Sequence, residues 1–301
     1  MLWLFVTILA YFFLAVSFFG DKFLLTGGIP NPKVYSFYVG ILGIFVIIFI
    51  PFGFFFPSPL QIFLSFLTGT LFIIGLYLYY SLVKEFEVSR IVPAIGGIIP
   101  ILTFFFIYIF SWGKTTFSFK EAISFILLIC GSVLMVIEKS KSIFGKSFIF
   151  SAGAAFYFAL YFVLAKFVYN SLTFINGFIW IRFGGFLAAL FFLFFKEVRL
   201  NIFTKPQGLK LKTTAIFIGN QIVGSSGAVL QNLAIALAPL VYVAFINSLQ
   251  GIQYVFLLVF TMLFSLKSPQ ILKEEMKGKI LIQKIFAILL IGIGLAILAK
   301  Y

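Results

Sequence analysis

Residues Gly219 to Phe256 read GNQIVGSSGAVLQNLAIALAPLVYVAFINSLQGIQYVF, and the interpretation of the chain starts from them. They belong to two consecutive apolar segments, yet they include ten carboxamide or hydroxyl side chains of Asn, Gln and Ser. An unpaired amide in hydrocarbon costs several kcal/mol, so these side chains must face protein or water. Two sets recur at the spacing of one helical face: Asn220, Gly224, Gly227 and Gln231, then Asn247, Gln250, Gly251 and Tyr254.

These two polar stripes have two interpretations. Small and polar residues commonly join neighbouring helices of a membrane bundle, which explains any one of these amides taken alone. Two complete stripes on consecutive segments, each bearing glycine, favour the wall of a polar cavity. The candidate wall residues from this region are Asn220, Gln231, Asn247, Gln250 and Tyr254.

The composition is that of a membrane protein. Of 301 residues, 63% are hydrophobic, 21% are aromatic and only 10% are charged, with a mean hydropathy of +1.20. A bilayer core about 30 Å thick needs about 20 apolar residues per helix. Ten such segments are present: roughly Leu2–Phe19, Val34–Phe56, Leu60–Leu82, Arg90–Trp112, Glu121–Ile137, Ser147–Val168, Thr173–Phe195, Thr213–Ala236, Ala238–Ser265 and Ile280–Ala299. Because the runs are continuously apolar rather than alternating, they predict an all-α polytopic protein and not a barrel.

The net charge of +14 does not indicate a nucleic-acid partner. The Lys and Arg residues stand in short connections between segments, where anionic lipid headgroups are the plainer partner. The first segment lacks a basic start and a small-residue cleavage site, so we expect it to be a retained span. Cys130 is the single cysteine, which excludes an intramolecular disulfide.

Self-comparison indicates an internal repeat. AYFFLAVSFFGDKF (Ala10–Phe23) aligns with AAFYFALYFVLAKF (Ala154–Phe167) at an offset of 144 residues. The chain is therefore predicted to form one membrane domain of two five-helix repeats, residues 1–146 and 147–301. Because five is odd, the second repeat is inverted relative to the first. Inverted repeats are typical of secondary transporters, which bind substrate near mid-membrane where the repeats meet.

At this point the chain resembles the drug/metabolite transporter superfamily and its EamA-like members. The resemblance covers nearly the whole chain and rests on ten segments in two repeats, on YYSLVKEFEVSRIVPAIGGIIPILTFFF (Tyr79–Phe106) and on WIRFGGFLAALFFLFF (Trp180–Phe195). The glycine-bearing closing segments LLICGSVLMVI (Leu127–Ile137) and LLIGIGLAIL (Leu289–Leu298) are also similar. The resemblance implies ten membrane helices, alternating access and a central substrate cavity.

The chain also departs from that family. A glutamate often follows the fourth and ninth helices of its members, whereas here Lys114 stands near the first place and the long insertion LKSPQILKEEMKGK follows the ninth segment. Pro100 of the fourth segment has no counterpart in the ninth, where Gly251 and Ile252 stand instead. The resemblance therefore implies little about the substrate.

The charged residues narrow the mechanism. All eight acidic residues are predicted to lie at helix ends or in loops, which argues against a cation or proton antiporter that relies on a buried glutamate. Arg182 is the exception among the bases, because it stands near the middle of a predicted span on one face with Gly185 and Ala189. One interpretation is that its guanidinium binds a substrate carboxylate or phosphate through two hydrogen bonds. The other is structural: the side chain extends to the membrane interface or pairs with backbone carbonyls.

Tyrosines supply further candidates for the cavity wall. A tyrosine hydroxyl away from water needs a hydrogen-bond partner, and Tyr157 and Tyr161 share one face of the sixth segment. Tyr77 and Tyr80 have the same relation in the third segment, and Tyr80 is the candidate from the first repeat. Interfacial belts of aromatic residues are the alternative for each.

Charge asymmetry predicts an orientation. Connections after odd-numbered segments hold 17 Lys and Arg residues, and the even connections with the termini hold 4. The positive-inside rule therefore places the odd connections in the cytoplasm and both termini outside. The family resemblance implies the opposite, with both termini inside.

The predicted function is a secondary transporter, expected to act as an exporter, of a small metabolite such as an amino acid or another carboxylate. A flippase for a lipid-linked substrate and a multidrug exporter are the alternatives. An intramembrane enzyme is disfavoured, because the chain has no His and one Cys from which to build the usual metal or nucleophile sites. We expect no cofactor, no metal, a small-molecule substrate and membrane lipid as partners, a cell-membrane location, and either a monomer or a homodimer.

Overall fold

The computed structural model describes residues 2–29, 31–86, 88–136, 146–204, 211–265 and 279–300, and within them regular structure is helical only. The helices of the N-terminal set are α1 (Leu2–Phe23), α2 (Pro32–Ile41), α3 (Pro59–Glu85), α4 (Val88–Phe110) and α5 (Phe119–Val136). Those of the C-terminal set are α6 (Lys146–Ser171), α7 (Phe174–Leu190), α8 (Lys196–Arg199), α9 (Leu211–Leu237), α10 (Tyr242–Ser248), α11 (Gln250–Ser265) and α12 (Lys279–Leu298).

Local sequence explains where two helices of the N-terminal set begin. Asn31 precedes α2, and its side-chain oxygen accepts hydrogen bonds from the backbone N–H of Lys33 at 2.9 Å and of Val34 at 3.3 Å. Ser58 precedes α3 and forms a reciprocal capping box with Gln61. In both cases proline is the first helical residue, where its missing N–H costs no hydrogen bond.

The second predicted segment ends earlier than the sequence indicates. After α2 the helix tightens through Leu42–Phe52 and stops at Gly53, whose φ of +129° is a conformation that L side chains rarely adopt. Phe55 follows in an extended connection. Its N–H donates to Asn176 Oδ1 at 3.1 Å, and its carbonyl accepts from Trp180 Nε1 at 3.2 Å. These two bonds hold the end of the second segment against α7.

The structure confirms a polytopic all-α membrane protein. Seven helical stretches among the described residues are long and apolar enough to cross a bilayer, and Ala94–Phe110 is a shorter apolar helix. Large apolar side chains such as Phe5, Ile48 and Phe63 are more than 60% exposed, as expected of surfaces that face lipid. The ten-span count and the inversion of the repeats stay predictions.

Some of the sequence-based observations lie outside the described residues. They include residues 137–145 just before the predicted repeat boundary and most of the insertion after the ninth segment. The acids and bases concerned are Glu87, Glu138, Glu274, Glu275, Lys139, Lys141, Lys205, Lys210, Lys267, Lys273 and Lys277. The orientation of the chain in the membrane therefore also stays a prediction.

The ninth predicted segment contains one stretch long enough to span, Tyr242–Phe260, but that stretch is made of two helices. α10 ends at Ser248 and α11 begins at Gln250, so the helix is interrupted at Leu249. The N–H of Ile252 donates to the carbonyl of Leu249 at 2.9 Å, and the carbonyl of Ser248 accepts from Ser132 Oγ at 3.1 Å. A hydroxyl from α5 thus satisfies an acceptor at the interruption.

The main helix contacts join the N-terminal set to the C-terminal set. α1 lies along α9, α3 contacts both α6 and α7, and α5 lies along α12. α4 contacts α6 and α10, and α2 contacts α7. The largest fully buried side chains, which include Tyr35, Ile91, Ile107, Phe245 and Leu249, fill the space between these helices.

The contact between α3 and α7 is unusually close because glycine faces backbone on both sides. A Cβ at Gly69 would overlap the carbonyl of Ile181 and the N–H of Gly185. A Cβ at Gly184 would overlap the backbone of Phe66. Small residues allow membrane helices to approach in this way and to gain van der Waals contact. This contact fixes the depth and rotation of α7, which carries Arg182.

Candidate functional site

A small cavity lies between α2, α3, α6 and α7, with room for about one water molecule, and its lining is mostly apolar apart from one phenol and one guanidinium. We call it the Arg182 cavity. Its wall combines glycines with an aromatic ring, a phenol and a guanidinium: Gly43, Gly69, Gly185, Phe72, Tyr161 and Arg182. The cavity is bounded by helices from both the N-terminal and the C-terminal sets.

The guanidinium of Arg182 lacks an anionic partner among the described residues. Its Cζ lies 5.1 Å from the ring centroid of Phe72 and 5.1 Å from that of Phe178, a cation–π contact on each side. The single ion pair in the described part of the chain joins Lys33 to Glu197. Two aromatic faces stabilise the cation but accept none of its five N–H groups in the manner of a carboxylate. Arg182 is therefore a positioned cation whose N–H groups have no carboxylate acceptor among the described residues.

A buried carboxamide orients the phenol of the cavity. Asn232 Oδ1 accepts a hydrogen bond from Tyr161 at 2.9 Å and another from Tyr169 at 2.7 Å. Its Nδ2 donates to the carbonyl of Ala228, one helical turn earlier in α9, at 2.8 Å. Tyr161, Tyr169 and Asn232 are all buried. The triad links α6 to α9 and fixes the direction of the Tyr161 hydroxyl.

Replacing Asn232 by leucine should leave both buried hydroxyls without their acceptor. An unsatisfied buried donor costs about 1–3 kcal/mol, so we expect Asn232→Leu to lower the melting temperature of the purified protein clearly. The triple variant Asn232→Leu/Tyr161→Phe/Tyr169→Phe removes the stranded hydroxyls and should recover part of the loss. Equal melting temperatures for wild type and Asn232→Leu would contradict this account.

A second polar cluster surrounds Asp21 at the far end of α1. The carboxylate Oδ1 accepts hydrogen bonds from the Tyr35 hydroxyl and, at 2.7 Å, from Asn220 Nδ2. Gln221 Nε2 donates to the Tyr35 hydroxyl at 3.4 Å. The ring of Tyr80 meets that of Tyr35 edge to face at 4.7 Å. The sequence places Asp21 simply at a helix end, but the helical path continues through Leu24–Gly28 and other helices enclose the carboxylate.

The first polar stripe faces α1. A Cβ at Gly224 would meet Ser17, and one at Gly227 would meet Leu14 and the carbonyl of Ala10. At one end of the stripe Asn220 donates to Asp21 of α1, and at the other end Gln231 lies near Tyr11 of α1. The stripe thus lets α1 and α9 pack closely, which is the helix-joining interpretation.

The second stripe faces α4 and α5. Asn247 Nδ2 donates to Thr103 Oγ1 of α4 at 2.9 Å. Gln250 and Tyr254 lie beside Gly96 of α4, where a Cβ would meet the Tyr254 hydroxyl. Gly251 lies against Ser132 of α5.

The predicted site residues therefore divide among several places. Arg182 and Tyr161 meet at one cavity, whereas Asn220 and Tyr80 belong to the Asp21 cluster. Gln231, Asn247, Gln250 and Tyr254 lie in helix contacts, and Tyr157 is partly exposed beside Phe156, with ring centroids 5.8 Å apart. Their roles in substrate binding stay predictions.

Four residues of these sites were not among the predicted ones. Asn232 is adjacent to Gln231 but off its stripe, so the search for one-face spacing passed over it. Phe72 and Phe178 were indistinguishable among 46 phenylalanines. For Asp21 one signal existed, the preceding Gly20, which leaves space for the side chain of Asn220.

Comparison with known proteins supports the fold and nothing finer. No protein-family model matches the chain, and no curated protein matches it significantly. Among solved structures 26 chains match. One of them, called "Crystal structure of protein", superposes with a TM-score of 0.66 at 14% sequence identity, over 98% of this chain and 94% of its own length.

Proposed function

We propose that the protein is a secondary transporter that binds a small anionic metabolite, such as an amino acid or another carboxylate, at the Arg182 cavity. One observation carries this proposal: a guanidinium lines a cavity inside a membrane protein, held by two aromatic rings and with no carboxylate partner among the described residues. Charge within a membrane span is costly and marks substrate or ion paths by default. A substrate carboxylate bound to the guanidinium of Arg182 would supply the missing counter-charge.

We further propose that the ten predicted segments are spans and that they form two inverted repeats. The five segments of the second repeat would correspond in order to those of the first: α6 to α1, α7 to α2, α9 to α3, α10–α11 to α4 and α12 to α5. A two-fold relation between the repeats then requires that each contact between helices has an equivalent contact. The contact of α1 with α9 then has its counterpart in the contact of α6 with α3. Three further contacts each join a helix to its own equivalent in the other repeat, as a two-fold axis allows. They are α2 with α7, α4 with α10 and α5 with α12. These matches support a two-fold arrangement, and the EamA-like resemblance agrees with it, whereas the close contact of α3 with α7 has no comparable counterpart between α9 and α2.

The size of the cavity implies that substrate binding requires motion. Room for about one water molecule is too little for an amino acid. α3 and α7 are in backbone contact at Gly69 and Gly184 and cannot come closer. The structure therefore corresponds to a closed conformation in this proposal, and alternating access widens the cavity from one side at a time.

Binding to the purified protein is the first test. The protein in detergent is melted with panels of amino acids, dicarboxylates, phosphorylated metabolites, nucleosides, small organic cations and lipids. We expect a carboxylate to raise the melting temperature, because a ligand at one hundred times its Kd stabilises the folded state by about 2.7 kcal/mol. The uncharged amide of the same compound is the matched control and should have little effect.

Uptake into proteoliposomes then separates transport from binding. A carboxylate that stabilises the protein should accumulate in liposomes that contain it and not in empty ones. Stabilisation by organic cations alone would instead favour a multidrug exporter. Stabilisation by lipid-linked compounds alone would favour a flippase, and in either case the carboxylate proposal is wrong. In a cell, the transporter is expected in the cell membrane as a multi-pass protein.

A further inference from the structure

The carboxylate of Asp21 has two unequal oxygens. Oδ1 accepts both hydrogen bonds that the side chain receives, from the Tyr35 hydroxyl and from Asn220 Nδ2. Oδ2 accepts no hydrogen bond from the described residues, and it is not sealed from solvent. A proton added to Oδ2 would therefore leave both existing bonds in place, since the carbonyl oxygen of a carboxylic acid accepts hydrogen bonds as well.

The groups that face Asp21 leave its negative charge uncompensated. The neighbours from other helices are all neutral phenols or carboxamides. They are Tyr35 of α2, Tyr79 and Tyr80 of α3, and Asn220 and Gln221 of α9. On α1 itself the neighbour is Lys22, which has an interaction of its own but no ion pair with Asp21. Asp21 makes no ion pair in the described part of the chain. A partly buried carboxylate surrounded by phenols and amides loses an unfavourable charge when it binds a proton.

The cluster also joins helices of the two proposed repeats, which alternating access would move relative to each other. Asp21 belongs to α1 and Asn220 to α9, which are in opposite repeats of the proposed arrangement. Tyr35 ties α2 to the same carboxylate oxygen. The strength of this tie depends on the charge of Asp21, because hydrogen bonds to an ionised acceptor are roughly twice as strong as bonds to a neutral one.

We infer that Asp21 is a proton-binding site that couples transport to a proton gradient, with the proton carried on Oδ2. This inference rests on the proposed function. It goes beyond the sequence-based argument, which spoke only against an antiporter that relies on a buried glutamate. Protonation weakens the tie between α1 and α9 at this end, and deprotonation restores it. A proton taken up at Asp21 and an anion at Arg182 would together move without net charge.

The first experiment measures proton binding without any substrate. Infrared difference spectra of the purified wild-type protein, titrated with acid, should show the carbonyl-stretch band of a protonated carboxylic acid in an apolar setting. The band should be missing in Asp21→Asn, whose carboxamide oxygen still accepts from Tyr35 and Asn220. It should persist in the matched control Glu197→Gln, which removes a surface carboxylate that pairs with Lys33. A spectrum of Asp21→Asn identical to that of wild type would overturn the assignment.

The second experiment measures coupling in proteoliposomes, with radiolabelled alanine and succinate as probes. We expect a pH gradient to drive accumulation of a probe by wild type about tenfold above equilibrium, which corresponds to a gradient of about 1.4 kcal/mol. Asp21→Asn should lose this accumulation but retain exchange of labelled for unlabelled probe. Accumulation by Asp21→Asn at the wild-type level, or accumulation by wild type driven by sodium and not by protons, would overturn the inference. If wild type exchanges neither probe, transport of these carboxylates and the coupling both fail, whereas the infrared result still reports on proton binding.

Discussion

Arg182→Gln should reduce carboxylate transport by about 10- to 100-fold. The substitution removes the cation of the Arg182 cavity while it keeps a polar, though shorter, side chain. Hydrogen bonds to a charged group contribute roughly 1.5–3 kcal/mol, and each 1.4 kcal/mol is a factor of ten in binding. The measurement is initial uptake rate in proteoliposomes, together with the ligand-induced rise in melting temperature. Both should fall together, because the lost interaction is one of binding.

Two further variants give this prediction its controls. Arg182→Lys keeps the charge but loses the planar pair of donors, so we expect intermediate transport. Lys33→Gln also removes one positive charge, but from an ion pair at the surface, and it should transport at the wild-type rate. Uptake by Arg182→Gln equal to that of Lys33→Gln would show that the guanidinium does not bind the substrate.

Gly69→Ala should destabilise the protein severely although it adds one methyl group. The new Cβ would overlap the carbonyl of Ile181 and the N–H of Gly185, which are backbone atoms that cannot change rotamer. Overpacking of a well-packed contact typically costs about 1–3 kcal/mol. Because α7 must then move away from α3, the Arg182 cavity should also be distorted. We expect a lower melting temperature and loss of transport.

Gly153→Ala is the matched control for that substitution. Gly153 lies inside α6, and a Cβ there meets nothing within 4 Å. Alanine favours a helix more than glycine does, so this variant should melt at the wild-type temperature or slightly above it. If Gly69→Ala and Gly153→Ala melt alike, the close contact of α3 with α7 does not hold these helices in place.

Much of the fold was predictable because hydrophobicity acts locally along the chain. Apolar runs of about 20 residues and the capping residues Asn31 and Ser58 mark helices without any knowledge of their neighbours. The interruption at Leu249 was harder to foresee, because its stabilising contact comes from Ser132, more than a hundred residues away. The early end of the second segment had a local signal in Gly53.

The sites were less predictable because they depend on which helices meet. Spacing showed that Asn220 and Gln231 share a face of α9, but not that this face meets α1. Arg182 was recognisable because charge at that depth is expensive wherever the helix packs. Asp21 has the same cost, but its position near the end of an apolar run concealed it. Enclosure by α2 and α9 is a tertiary fact that no single segment encodes.

The contacts of α1 with α9 and of α3 with α6 and α7 also govern how the protein is made. The ribosome delivers α1 to α5 to the membrane before any of these partners has been synthesised. Until then the glycine face of α3 and the carboxylate of Asp21 are without the groups that cover them. Assembly is therefore completed only after translation reaches α9, and a chain truncated after α5 should be a substrate for membrane proteases.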